Sequence, residues 1–263
     1  MAAESTLDRL VAGVRQRLAS TPPVPGLEAR AKRAAELRRQ DGPRSLREAL
    51  AASGTRVIAE CKHASPSAGV LREPFDPVAL ARAYEAGGAA AISVVTDPGF
   101  FGGDPAWLAA VRGATSLPVL RKDFIVDERQ LYETALFGTD AVLLIQRIVD
   151  QRRLAGLLEL ARRLSLEVLL EVFADEDPAP AVASGAEIIG VNARDLASFR
   201  VDLERVCALA GAIPPDRLRV AESGIGCPAD IERLAAAGYD AFLVGERLVR
   251  SDDPGATLKE LVR

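Results

Sequence analysis

From residue 56 to the C-terminus, short apolar runs alternate with amphipathic stretches, and there are eight of each. The runs occupy 57–61, 91–95, 118–121, 141–145, 168–172, 188–191, 218–221 and 241–244. Each is nearly continuous in apolar residues, as a strand buried on both faces must be. Strands of that kind separated by helices predict a parallel sheet covered by helices. Four of the intervening segments end alike, at Gly87, Gly138, Gly185 and Gly238, each just ahead of an apolar run. Glycine there fits a left-handed helix cap, where a Cβ would be strained. These glycines recur about every 50 residues, a length that holds two strand–helix units. Four such steps make eight units. An open doubly wound sheet accommodates the same alternation, but the count and even spacing favour closure into an α/β (β/α)8 TIM barrel.

Residues 1–55 precede the first strand and read as an N-terminal helical extension to a barrel of residues 56–263, the two forming one domain. Leu7, Leu10, Val11, Val14 and Leu18 recur at helical spacing after a cap at Ser5 or Thr6. The run Thr21-Pro22-Pro23-Val24-Pro25-Gly26 ends that helix. A second helix is predicted over 27–40 and a short third over 45–52.

Composition narrows the partners. Apolar residues make up 49% of the 263, enough for a large core. With 33 basic and 37 acidic residues the net charge is −4, which gives no electrostatic reason to expect nucleic acid or a membrane surface. An anionic small substrate would need a local positive site. Cys61, Cys207 and Cys227 are too few and too scattered for a disulfide framework or a zinc site, so a reducing, cytoplasmic setting is expected. The charged N-terminus does not read as a signal peptide, and no apolar run reaches the ~20 residues a spanning helix needs.

In a barrel of this type the reacting groups project from the C-terminal ends of the strands. The first run ends in Glu60-Cys61-Lys62 and the third in Arg121-Lys122-Asp123. The fifth carries Glu171, the sixth ends in Asn192-Ala193-Arg194 and the seventh in Glu222-Ser223-Gly224. Residues two apart share a strand face, so Glu60 and Lys62 point together while Cys61 points away as a packing residue. Each charge buried alone would be costly. Grouped, the carboxylates keep the lysines protonated and the lysines keep the carboxylates ionised, which suits acid and base work near neutral pH. Glu222-Ser223-Gly224-Ile225-Gly226 after the seventh run and Val244-Gly245-Glu246-Arg247 after the eighth stand where barrels commonly hold phosphate. Ser65, in the loop after the first run, could add a hydroxyl. His63, the sole histidine, reads as an exposed loop residue, and no aspartate cluster points to a metal. Phe100, Phe101 and Phe124 lie in strand-end loops, where they could face an aromatic substrate or simply pack.

These segments together resemble the indole-3-glycerol phosphate synthase family. Glu60-Cys61-Lys62-His63-Ala64-Ser65-Pro66-Ser67 is similar to its first-strand signature and Leu120-Arg121-Lys122-Asp123-Phe124-Ile125 to its third-strand motif. Leu143-Leu144-Ile145, Leu170-Glu171-Val172, Gly190-Val191-Asn192-Ala193-Arg194-Asp195-Leu196, Glu222-Ser223-Gly224-Ile225 and Val244-Gly245-Glu246 follow in the same order. The resemblance implies ring closure, decarboxylation and dehydration of 1-(2-carboxyphenylamino)-1-deoxyribulose 5-phosphate, without cofactor or metal, by a monomer. It implies Lys122 as the acid of ring closure, with Lys62 and Arg194 on the substrate carboxylate and Lys62 an acid in dehydration. Glu171 and Glu60 become bases or electrostatic stabilisers, while Asn192 and Glu222 orient hydroxyls or the lysines. Ser65, Ser223, Gly224, Gly245 and Glu246 would hold phosphate. Pro66, Phe101, Phe124, Leu143, Ile145 and Leu196 would flank the anthranilate ring. Phe173, Asp104 and Gln146-Arg147 depart from the pattern, which expects histidine, serine and an apolar residue there. Two other enzyme readings remain: a phosphoribosylanthranilate isomerase, and an aldolase-like enzyme with Lys122 as Schiff-base lysine. A binding-only barrel is disfavoured, because a dead site has no need to keep buried charges paired.

Overall fold

The computed structural model describes residues 5–42, 44–195 and 198–263. Eight parallel strands close into a barrel: β1 (Arg56–Cys61), β2 (Ala91–Val95), β3 (Val119–Lys122), β4 (Ala141–Ile145), β5 (Glu167–Phe173), β6 (Ile188–Asn192), β7 (Leu218–Glu222) and β8 (Ala241–Val244), with β8 pairing back onto β1. All eight expected strands are present, and their ends shift by no more than two residues. Side chains alternate between two cores. Val57, Ala59 and Cys61 point outward into the layer between strands and helices. Ile58, Leu120, Leu143, Leu169, Val220 and Leu243 point inward and fill the barrel. Double-sided burial is why these strands read as unbroken apolar runs.

Three helices precede the barrel: α1 (Thr6–Ser20), α2 (Leu27–Gln40) and α3 (Leu46–Ala51). Ser5 caps α1 in a reciprocal box with Asp8. The three run from one end of the barrel to the other. α1 lies at the mouth, where Leu7, Leu10, Val11 and Val14 join the cluster that holds Phe124, Ile145 and Ile148. Arg38 of α2 is buried and donates to the carbonyls of Thr139 and Ser165, at 2.7 and 2.9 Å, near the strand N-termini. Ser45 and the backbone of Arg47 bond Glu167 at the start of β5, which seats α3 under the barrel.

Among the described residues nine further α-helices follow: α4 (Pro77–Gly87), α5 (Trp107–Ala114), α6 (Glu128–Leu136), α7 (Gln151–Arg163), α8 (Ala179–Ala183), α9 (Leu203–Leu209), α10 (Pro228–Ala237), α11 (Glu246–Val249) and α12 (Pro254–Leu261). Gly138, Gly185 and Gly238 are left-handed, as the repeat requires. The first position is a correction: Gly88, with φ 93°, is the left-handed cap of α4. Gly87 is helical, and a Cβ on it would press on the Gly255 carbonyl at 2.8 Å, so close helix packing explains that glycine. A second difference is a two-stranded hairpin, Ala64–Ser65 with Gly69–Val70, in the loop after β1.

Candidate active site

Pairing register brings the charged strand ends to one level. Ile145 pairs with Glu171, Glu171 with Gly190, and Asn192 with Glu222. Lys122 at the end of β3 donates to Glu171 Oε2 at 2.9 Å and to Glu222 Oε2 at 2.8 Å. Lys62, just past β1, donates to Glu60 Oε1 at 2.6 Å. The three carboxylates are at most 2% exposed, whereas both ammonium side chains are 17% exposed and reach the cavity. Two lysines thus stand over three buried glutamates.

Electrostatics follows from that placement. Burial pulls against the Lys122 ammonium, but Glu171, Glu222 and Glu60 overcome it and raise its proton affinity well above the usual lysine range. Burial likewise opposes ionisation of Glu60, yet Lys62, Lys122 and Arg194 hold its carboxyl below its ordinary range. Glu222 goes the other way. Burial and the neighbouring Glu171 push it up to about 8 despite Lys122. Its ordinary value is 4.5. Between those two values the unfolded chain releases this proton while the folded protein retains it, so stability falls as pH rises from about 4.5 towards 8. Glu222→Gln has no proton to lose. We expect its melting temperature to change less between pH 5 and 8 than the wild type's, by on the order of 5 °C. Parallel thermal-denaturation curves for the two proteins would disprove this.

The cavity above these groups encloses about 800 Å³, including its open mouth. Lys122, Glu171, Glu60, Lys62, Asn192, Arg194, Ser65, Pro66, Ser223 and Glu246 line it, as do Phe101, Phe124, Leu143 and Ile145. The last four form an apolar wall, with the Phe101 and Phe124 rings 6.1 Å apart at 43°. Glu222 lies beneath the cavity, under Lys122. Gly224 and Gly245 line an adjoining cavity shared with Glu60, Lys62, Arg194, Ser223 and Glu246, to which Arg247 and Arg250 add positive charge. Leu196 lies outside the described residues.

Local structure accounts for several of these placements. Ser223 and Gly224 are both left-handed, with φ of 68° and 78°. A serine in that region is uncommon, and such strain concentrates at functional sites. Gly245 immediately precedes the short helix α11. Asn192 is held by accepting from the Arg194 N–H at 2.9 Å, and the Arg194 guanidinium lies 3.7 Å from Glu246. Cys61 is fully buried on the outer face, as a packing residue should be. His63 is not an exposed loop residue. It is half-buried, 5.1 Å from the Phe75 ring, with Nδ1 3.3 Å from the Gly102 carbonyl oxygen. Phe173 and Arg147 depart from the family pattern together: the Arg147 guanidinium sits 4.5 Å over the Phe173 ring and also pairs with Asp175 and Glu176. Among the described residues, no group of three or more His, Cys, Asp or Glu is placed to hold a metal ion.

Six residues that line the cavity are not among the candidates read from the strand ends: Leu10, Ser67, Val95, Asp97, Asp123 and Phe199. Asp97 follows β2, so the same strand-end rule could have found it. It is 2% exposed, pairs with Arg17 of α1 at 3.1 Å and accepts from the Phe100 N–H at 2.9 Å, tying α1 to the loop that carries Phe101. Leu10 had no signal beyond helical spacing.

Comparison with known proteins gives one answer. The family model for indole-3-glycerol phosphate synthase matches residues 7–261. The indole-3-glycerol phosphate synthase of Desulfosudis oleivorans is 48% identical over 218 residues, covering 83% of each chain. That of Mycolicibacterium vanbaalenii is 44% identical over 262 residues, covering all of this chain and 95% of its own. That of Koribacter versatilis is 44% identical and covers 98% of this chain and 99% of its own. Among solved structures, a thiamine phosphate pyrophosphorylase from Pyrococcus furiosus superposes with a TM-score of 0.62 at 18% identity, over 82% of this chain and 96% of that one, which is a likeness of fold alone. By the family match over nearly its whole length, the chain belongs to the indole-3-glycerol phosphate synthase family.

Proposed function

We propose that this protein converts 1-(2-carboxyphenylamino)-1-deoxyribulose 5-phosphate to indole-3-glycerol phosphate, carbon dioxide and water in tryptophan biosynthesis. The observation that carries the reading is the Lys122 ammonium, which donates to the buried carboxyl groups of Glu171 and Glu222 at the floor of a cavity with an apolar wall on one side and a glycine-rich cationic recess on the other.

The substrate matches that division. Its anthranilate ring fits against Phe101, Phe124, Leu143 and Ile145, with Pro66 at the rim. Its phosphate fits the recess of Ser223, Gly224, Gly245 and Glu246, within reach of Ser65. Lys62 and Arg194 lie between and take the carboxylate. As the ring carbon attacks the ketone, Lys122 gives its proton to the ketone oxygen, which becomes a hydroxyl. The bond to the carboxyl carbon then breaks, its electrons restore the aromatic ring, and carbon dioxide leaves. In dehydration Lys62 protonates the departing hydroxyl while Glu60 or Glu171 takes the neighbouring C–H proton. Asn192 and Glu222 hold hydroxyls and Lys122 in register. A positioned acid of this kind is typically worth about 10²–10⁴-fold.

The ammonium environment also weighs against a Schiff-base role. An amine nucleophile must be neutral, and the carboxylates around Lys122 hold it protonated. We take the working form to be a monomer, and three unpaired cysteines fit a reducing cytoplasm. The test is indole fluorescence on adding substrate to the protein without cofactor or added metal, where a steady rise is expected. Turnover of phosphoribosylanthranilate instead, or a substrate adduct trapped by borohydride on Lys122, would replace this reading.

A further inference from the structure

Gly190 stands on the inner face of β6, paired with Glu171 on one side and Val220 on the other. Its φ is not in the left-handed region, so the backbone does not require glycine there. Space does. A Cβ on Gly190 would collide with Glu222 Oε1 and lie 3.2 Å from Glu222 Cδ. It would also lie 3.2 Å from Leu169 Cδ1, a contact that a flexible side chain can relieve. Glu222 has less freedom. It is 1% exposed, its Oε2 accepts from Lys122 at 2.8 Å, and its Oε1 is buried with no hydrogen-bond partner. The carboxyl is folded against the bare Cα of Gly190, at the level of Glu171.

We propose that Gly190 is a positioning residue, its missing side chain forming the slot that holds the Glu222 carboxyl against Lys122. The inference rests on the acid role of Lys122 given above and extends it to a residue that touches no substrate. A Cβ in the slot swings the carboxyl away, so Lys122 loses one of its two anchors. The proton balance of the Lys122–Glu171–Glu222 group then changes with it. The barrel uses the same device once more, since a Cβ on Gly245 would collide with Glu60 Oε1. Gly245 also lines the phosphate recess, so only Gly190 isolates the effect.

The test compares Gly190→Ala, Glu222→Asp and the double variant, alongside wild-type turnover. Absence of wild-type turnover would count against the proposed reaction, whereas the variants address the slot. For Gly190→Ala we expect kcat to fall on the order of 10²-fold, as for a ~1 Å misplacement of a catalytic group. Affinity for inorganic phosphate should be unchanged, and the pH–kcat profile should shift. Aspartate is one methylene shorter and vacates the slot. The Gly190→Ala loss should therefore shrink to within a few-fold in the Glu222→Asp background, a non-additivity that a general packing defect would not give. If Gly190→Ala does not fold, the double variant must. An unchanged kcat and pH profile, an equal loss in both backgrounds, or failure of both proteins to fold would overturn the proposal.

Discussion

Lys122→Ala is expected to abolish ring closure and to leave phosphate binding intact. In the proposed reaction the ammonium supplies the proton to the ketone oxygen, and it stands across the cavity floor from the glycine-rich recess. The expected loss in kcat is at least about 10²–10⁴-fold. Affinity for inorganic phosphate should stay within a few-fold, because Ser223, Gly224 and Gly245 do not depend on Lys122. Lys122→Arg should not rescue. A planar guanidinium cannot occupy the point between Glu171 and Glu222 that a tetrahedral ammonium fills. The measurement is steady-state indole fluorescence together with phosphate titration. Parallel loss of turnover and phosphate affinity would make Lys122 a binding group rather than the acid.

Asp123→Ala should be the most destabilising change beside the cavity. Arg121, on β3, and Asp123, just past its end, flank Lys122, and each is at most 5% exposed. The Arg121 guanidinium donates to Asp123 Oδ2 at 2.9 Å, to the Gln130 carbonyl at 2.9 Å and to Thr134 at 3.0 Å. Thr96 donates to the same Asp123 oxygen at 2.7 Å, and the Phe124 N–H donates to the other at 2.8 Å. Removing the carboxylate leaves a guanidinium buried without its full counter-charge, which typically costs about 3–5 kcal/mol. The melting temperature should drop on the order of 10 °C. Turnover measured at low temperature should fall much less than in Lys122→Ala. A denaturant midpoint that matches the wild type would refute this account of the pair.

The strand ends carried most of the site in the sequence itself. Lys62, Lys122, Glu60, Glu171 and Asn192 were all legible because strand position and side-chain alternation are local properties, and a barrel sends its strand C-termini to one rim. The same locality gave the eight strands, since a strand buried on both faces has to be apolar throughout. It failed wherever chain neighbours did not decide the outcome. Gly87 and Gly88 look equivalent in a pattern, but only packing against α12 decided which one is helical.

What the sequence determined alone was therefore the alternation of strands and helices and the kinds of charge at the rim. Which charge meets which was decided by closure. Lys122 reaches Glu171 and Glu222 across 49 and 100 residues of chain. The siting of Leu10 at the cavity, the Arg17–Asp97 tie and the slot at Gly190 likewise exist only once α1 lies over the mouth and the strands take their register. The physical reason is that burial preference belongs to a residue and its near neighbours, whereas a hydrogen bond or a collision belongs to two atoms whose separation is set by the whole fold.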